Sequence, residues 1–81
     1  MKDIKKMSQK ILEIVNKVLE NRSKTKLESL SPEMDLRNHI GFDSLDLAEL
    51  TVRIEAEYDI DIFEDGIVNT VSEILEILNN K

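Results

Sequence analysis

Ser44 is the residue whose setting points to chemistry. It follows Gly41-Phe42-Asp43, precedes Leu45-Asp46, and stands where a long polar connection meets an acidic helical pattern. Read alone, such a junction is a helix cap: Asp43 or Ser44 would accept a free first-turn amide, with Asp46 favoured there by the helix dipole. A hydrolase does not fit. The one histidine, His39, lies five residues upstream, and a nucleophile elbow needs glycines two before and two after its serine, where Phe42 and Asp46 stand. The absence of cysteine excludes disulfides, thiolate zinc sites, iron–sulfur clusters and a thiol nucleophile. His39 has no second histidine or cysteine to join it around a metal, so it reads as a loop residue. Asp61, Asp65 and Gly66 suggest a calcium loop. Setting Gly66 at the required glycine, however, puts Phe63 at the third ligand position and Ser72 at the twelfth, with Glu73 one residue late. That is no EF-hand; weak divalent-ion association with so many acids is all it leaves.

Three helices must position Ser44. Ile4, Met7, Ile11, Ile14/Val15 and Val18 recur at spacings of three and four, which predicts an amphipathic helix near residues 3–20. Leu47, Leu50/Thr51, Ile54 and Tyr58 form the inward stripe of a second, and Val71, Ile74/Leu75 and Leu78 that of a third. Thr70-Val71-Ser72-Glu73 reads as a capping box at the start of the third. Between the first two runs a long connection, 21–43, in which Ser31-Pro32-Glu33 resembles a short helical turn and Gly41 supplies a backbone angle other residues avoid. Residues 59–69 leave room for a turn or a small helix around Phe63–Val68. The expected fold is all-α, three main helices plus one short one, in a single domain over 1–81. With 81 residues, 41% hydrophobic and 35% charged, such a chain holds a packed core but no deep cleft between lobes.

Eleven Lys and Arg against seventeen Asp and Glu give a net charge of −6, unevenly spread. Residues 1–27 carry eight bases against three acids, whereas residues 43–65 carry nine acids against Arg53 alone. A field of that sign repels phosphate backbones, so nucleic acid is not an expected partner; a basic protein surface is. The N-terminal lysines alternate with apolar positions and read as a solvated helix face. The longest apolar run is two residues, as at Ile11-Leu12, so no membrane insertion is expected and the cytoplasm is the default compartment.

Ile40-Gly41-Phe42-Asp43-Ser44-Leu45-Asp46 resembles the signature of the acyl carrier proteins, in which Asp-Ser-Leu marks the serine that receives 4′-phosphopantetheine. The resemblance extends over nearly the whole chain. It takes in the first helix, the long loop, the acidic second helix, the stretch Glu57-Tyr58-Asp59-Ile60-Asp61-Ile62 and Thr70-Val71. It implies a four-helix bundle of acyl-carrier type, with Ser44 as the attachment residue and Asp43 and Leu45 beside it. A separate magnesium-dependent phosphopantetheinyl transferase (holo-carrier synthase) would load the arm from coenzyme A. The arm's thiol would then carry acyl groups as thioesters to biosynthetic enzymes with basic docking patches, the carrier itself doing no bond chemistry.

By the same resemblance, the mixed acidic and apolar surface after Ser44 is the docking face: Asp46, Ala48, Glu49, Val52, Arg53 and Glu55. Leu50, Ile54, Ile62 and Ile74 would line a cargo pocket. Arg53 puts a base on that face, Ala56 stands where many fatty-acid carriers have an acid, and Phe63 replaces a common proline. These departures argue against the housekeeping fatty-acid carrier and suit a specialised one; the resemblance as a whole implies delivery to fatty-acid, polyketide or related specialised biosynthetic enzymes. An aminoacyl, D-alanyl or peptidyl carrier, or a small acidic helical adaptor in which Ser44 is only a cap, are the rival readings. The chain begins at Met1 and ends three residues after Leu78, its last apolar residue, which reads as a discrete, monomeric carrier. Acid crowding over 43–65 predicts that added salt or divalent ions raise the melting temperature; a midpoint flat from low to high salt would contradict this.

Overall fold

The computed structural model describes residues 4–64 and 66–80. Three helices account for the regular structure: α1 (Ile4–Asn21), α2 (Ser44–Tyr58) and α3 (Val71–Asn80). Among the described residues there is no strand, only an isolated antiparallel bridge between Asp35 and Thr70. Helix α1 packs against both α2 and α3. Its buried side is Met7, Ile11, Ile14, Val15, Val18 and Leu19, the apolar stripe of the sequence continued by one residue. Ile4, expected inward, is 44% exposed, so the buried face of α1 starts one turn later, at Met7. Leu47, Leu50 and Ile54 from α2 and Val71, Ile74 and Leu78 from α3 complete the centre.

The long connection is built into the core. Leu36, Ile40 and Phe42 are buried, and Leu27, Leu30 and Met34 pack against the same cluster. Its backbone is tied at both ends. Asn16 donates from Nδ2 to the Leu27 carbonyl at 2.9 Å and accepts the Leu27 amide on Oδ1 at 2.7 Å. At the far end the Leu36 amide donates to Asn69 O (2.8 Å) and the Val71 amide to Met34 O (3.1 Å). The turn over 35–40 is organised by Asp35, whose Oδ1 accepts the amides of Arg37 and Asn38. His39 accepts the Asp35 amide on Nδ1 at 2.7 Å, a loop-shaping role. Gly41, at φ +88, takes the left-handed backbone that glycine adopts without a Cβ penalty.

The short helix expected around Phe63–Val68 is not among the described elements. Residues 62–64 form a turn, and Asp65 lies outside the described residues. The cause is local. Asp61 accepts the Phe63 amide on its own Oδ1 (2.9 Å) and the Glu64 amide on its carbonyl (3.2 Å), which closes a tight turn. Gly66, at φ +140, then departs from helical geometry. Helix α3 begins as its sequence predicts, with Thr70 Oγ1 accepting the Glu73 amide and Glu73 Oε1 accepting the Thr70 amide. Leu50, on α2, is fully buried in contact with the core cluster. Leu50→Ala is expected to cost about 2–5 kcal/mol, measured by denaturant unfolding, whereas a loss near zero would mean this contact is not the core.

Candidate functional site

Ser44 occupies the first position of α2 and is exposed. The residue before it does the capping. Asp43 has extended backbone (φ −99, ψ −173); its side chain accepts the Asp46 amide at 3.0 Å, and Asp46 accepts the Asp43 amide at 3.0 Å. This reciprocal box satisfies the Asp43 and Asp46 amides without Ser44. The Ser44 hydroxyl has no hydrogen-bond partner among the described residues. It opens onto a shallow groove of about 240 Å³ lined also by Arg37, Leu47, Ala48, Thr51 and Phe63.

Asp46 overturns an expectation. Expected on the docking face, it is 0% exposed, the only buried charged residue among those described. A carboxylate leaves water only with compensation, and here it comes from the segment following α1. Ser23, in the left-handed region at φ 57, turns the chain so that both its neighbours reach α2. Lys24 Nζ donates to Asp46 Oδ2 at 2.8 Å and to the Gly41 carbonyl at 2.9 Å. Arg22 spans both acids, with Nη2 3.2 Å from Asp43 Oδ2 and Nη1 3.4 Å from Asp46 Oδ1. Asp46 Oδ1 accepts no hydrogen bond, so Arg22 serves it by charge alone.

Other members of the expected docking face divide by exposure. Leu45 (68% exposed) and Val52 (67%) stand two turns apart on one side of α2, with Ala48 and Glu55 also exposed. Glu49 is half-buried and already engaged, accepting from Arg53 Nε and Asn21 Nδ2, each at 2.8 Å. The Arg53 bond, then that of Asn21, holds the Glu49 carboxyl below its ordinary pKa. Arg53 is thus a partner of Glu49 within the helix and not a free base on the face. Of the residues expected to line a cargo pocket, Leu50, Ile54 and Ile74 are sealed in the core. Ile62 alone reaches a cavity, one of about 410 Å³ between α3 and the segment before it, shared with Ile67, Val68, Glu73 and Ile77. Among the described residues no group of three or more His, Asp or Glu is arranged to hold a metal. Among the described residues no helix is long and apolar enough to cross a membrane.

Sequence reasoning missed Asn21, Arg22 and Lys24. They lie beyond the last apolar position of α1, outside the periodic pattern that sorts faces, and their partners stand roughly twenty residues or more further along the chain.

A family model described as a phosphopantetheine attachment site matches residues 9–78. An acyl carrier protein from Buchnera aphidicola subsp. Schizaphis graminum is 41% identical over 83 aligned positions, covering 99% of this chain and 90% of its own length. An acyl carrier protein from a Picosynechococcus strain is 32% identical over 77, covering 93% and 95%. One from Trieres chinensis is 30% identical over 74, covering 89% and 92%. No solved structure matches the chain.

The Asp46 amide, and then the charges of Arg22 and Lys24, hold the Asp43 carboxyl below its ordinary pKa. A carboxylate lowered on folding stabilises the native state above its unfolded pKa, about 3.9, and that contribution is lost as pH falls through the folded value. Asp43→Asn keeps a good cap but removes the charge. It is therefore expected to melt lower than the parent at pH 7 and to converge with it as pH falls through the lowered folded value. Parallel melting curves across that range would exclude this role for the charge.

Proposed function

The chain belongs to the acyl carrier protein family, and from that premise we propose that Ser44 is its phosphopantetheine attachment residue. Proteins of this family are carriers, not enzymes, and the attachment domain implies a covalently held 4′-phosphopantetheine. One observation carries the assignment to Ser44: its hydroxyl is exposed and unengaged on a helix whose cap is already supplied by Asp43. A merely structural serine at this junction would be expected to do the capping itself.

The residues present fit the group. Ser44 Oγ can become the ester oxygen of a phosphodiester without breaking any bond that holds the fold. The first turn of α2 favours negative charge beside it, and the groove shared with Leu47, Ala48 and Phe63 leaves an open path away from the hydroxyl. When attached, the arm supplies the thiol that this cysteine-free chain lacks, on which acyl cargo travels as a thioester. Asp43 and Leu45 flank the attachment point, Asp43 fixing the helix start and Leu45 standing outward for a partner to cover.

Family membership implies interaction with a phosphopantetheinyl transferase and with acyl-handling enzymes in general. We assign the docking face to exposed Leu45, Ala48, Val52 and Glu55 on α2, with delivery to fatty-acid, polyketide or related specialised enzymes. A cytoplasmic setting accords with those partners. Fixing one residue to a partner's site and the cargo to a tether raises the cargo's effective concentration there without adding contacts.

Incubation with a broad-specificity phosphopantetheinyl transferase, coenzyme A and magnesium is expected to add the mass of one phosphopantetheine. Ser44→Ala should gain nothing while changing unfolding stability by less than about 0.5 kcal/mol. A mass gain in the alanine variant, or none in the folded parent, would remove Ser44 from this role.

A further inference from the structure

We propose that Arg22 is a built-in competitor for the basic patch of any partner that approaches Ser44, and so sets how tightly such partners dock. The inference rests on Ser44 as the attachment residue and concerns the carboxylates next to it. Of the two acids in the α2 cap, Asp46 is closed to solvent and already holds Lys24. Asp43 is the one an approaching cation can reach, with its side chain 54% exposed. Arg22 sits on that same carboxylate: Nη2 to Asp43 Oδ2 is 3.2 Å, with the Arg22 side chain itself 34% exposed. A lysine or arginine brought in by a partner must share Asp43 with Arg22 or displace it.

The neighbouring acid is occupied in the same way. Glu49, one turn along α2 from Leu45, accepts from Asn21 and Arg53. Exposed Leu45, Ala48 and Val52 therefore lie beside two acids, Asp43 and Glu49, whose charge the chain itself answers, with exposed Glu55 further along the helix. The partner this surface fits presents an apolar patch to those three residues and few cations. A strongly basic partner meets Arg22 first. Electrostatic attraction governs encounter and selects partners, so a single cation at this point discriminates between the two kinds.

Arg22→Gln removes the competitor while Lys24 continues to neutralise Asp46, and thermal unfolding checks that the variant folds. Arg22→Lys keeps the charge. Lys17→Gln makes the same change of net charge on α1, where the exposed Lys17 side chain lines a separate groove with Arg53, Ala56 and Glu57. Two readouts separate this inference from the one it rests on. In the first, a phosphopantetheinyl transferase with a basic docking surface modifies each variant. Arg22→Gln is expected to lower KM for the carrier about two- to fivefold at low salt, the range of an exposed ion pair. Its kcat should be unchanged, and the difference should vanish near about 0.5 M salt. Arg22→Lys should stay near the parent and Lys17→Gln should change KM less than Arg22→Gln does. In the second, a short Lys/Arg-rich peptide is titrated against each variant, a measurement indifferent to modification of Ser44. Tighter binding by Arg22→Gln alone supports the competition. Equal binding by parent and Arg22→Gln, or an equal gain from Lys17→Gln, overturns it. Failure of the transferase to modify the parent overturns the Ser44 assignment instead, and the peptide result then decides whether Arg22 screens Asp43.

Discussion

The burial of one carboxylate organises this molecule. Removing an ion from water costs several kcal/mol even after a protein relaxes around it, and one left without partners is seldom tolerated. Asp46 is fully buried and therefore needs Lys24, Arg22 and the Asp43 amide about it. Those requirements reach well beyond the helix start. They fix the residues after α1 against the start of α2 and pull Lys24 onto the Gly41 carbonyl. They also give the left-handed turn at Ser23 a reason to exist. A loop of some twenty residues could otherwise run many ways; anchored here, and again by Asn16 on Leu27, it delivers Leu36, Ile40 and Phe42 into the core.

The same arrangement frees Ser44. First-turn amides must find acceptors, and in many helices a serine at the entrance would be consumed by that duty. Here two aspartates serve each other's amides, and the serine between them is left with nothing to hold. A modified side chain can then be accommodated without a structural penalty at the helix start. The rigid part of the site and its chemical part are separate residues, adjacent in sequence. The attachment proposed at Ser44 asks for one accessible hydroxyl on an anchored helix start, and its neighbours Asp43 and Asp46 supply that anchor.

How much of this was legible depended on range. Periodicity found all three helices because burying one face leaves a record at spacings of three and four, and Thr70 with Glu73 declared the start of α3 because both partners of the box lie within four residues. Gly41 was readable for the same local reason, φ +88 being a property of one residue. Around Phe63–Val68 the sequence leaves room for a turn or a small helix, and among the described residues Asp61 and Gly66 favour the turn. Asp46 was misread for a different cause. An aspartate in a first helical turn is ordinarily exposed, and what buries this one is a pair of cations more than twenty residues earlier in the chain. Arg22 and Lys24 sit just past the apolar stripe of α1, where periodicity assigns no face, so the sequence carries no sign of their role. Ser44 is legible as the candidate attachment residue through the Asp-Ser-Leu signature, and its freedom from capping duty only through the geometry.

Net charge is therefore a poor guide to what a partner meets at this surface. Residues 43–65 hold nine acids, yet the three nearest the serine on α2 and its cap, Asp43, Asp46 and Glu49, are all engaged by the chain's own side chains. Glu57 is engaged too, with Lys10 of α1 at 3.5 Å. The basic N-terminal third and the acidic middle third, which look like opposite poles in the sequence, are in part each other's counterions. What remains for an approaching enzyme close to Ser44 is mainly shape and apolar area at Leu45, Ala48 and Val52, with Glu55 at the edge. Long-range attraction still follows the −6 of the whole chain. The last few ångströms follow contacts, where apolar burial dominates and the ion pairs already present must be kept or exchanged one for one. A carrier that must be both bound and released gains from that division, since the net charge brings partners near while the acids nearest Ser44 are already paired within the chain.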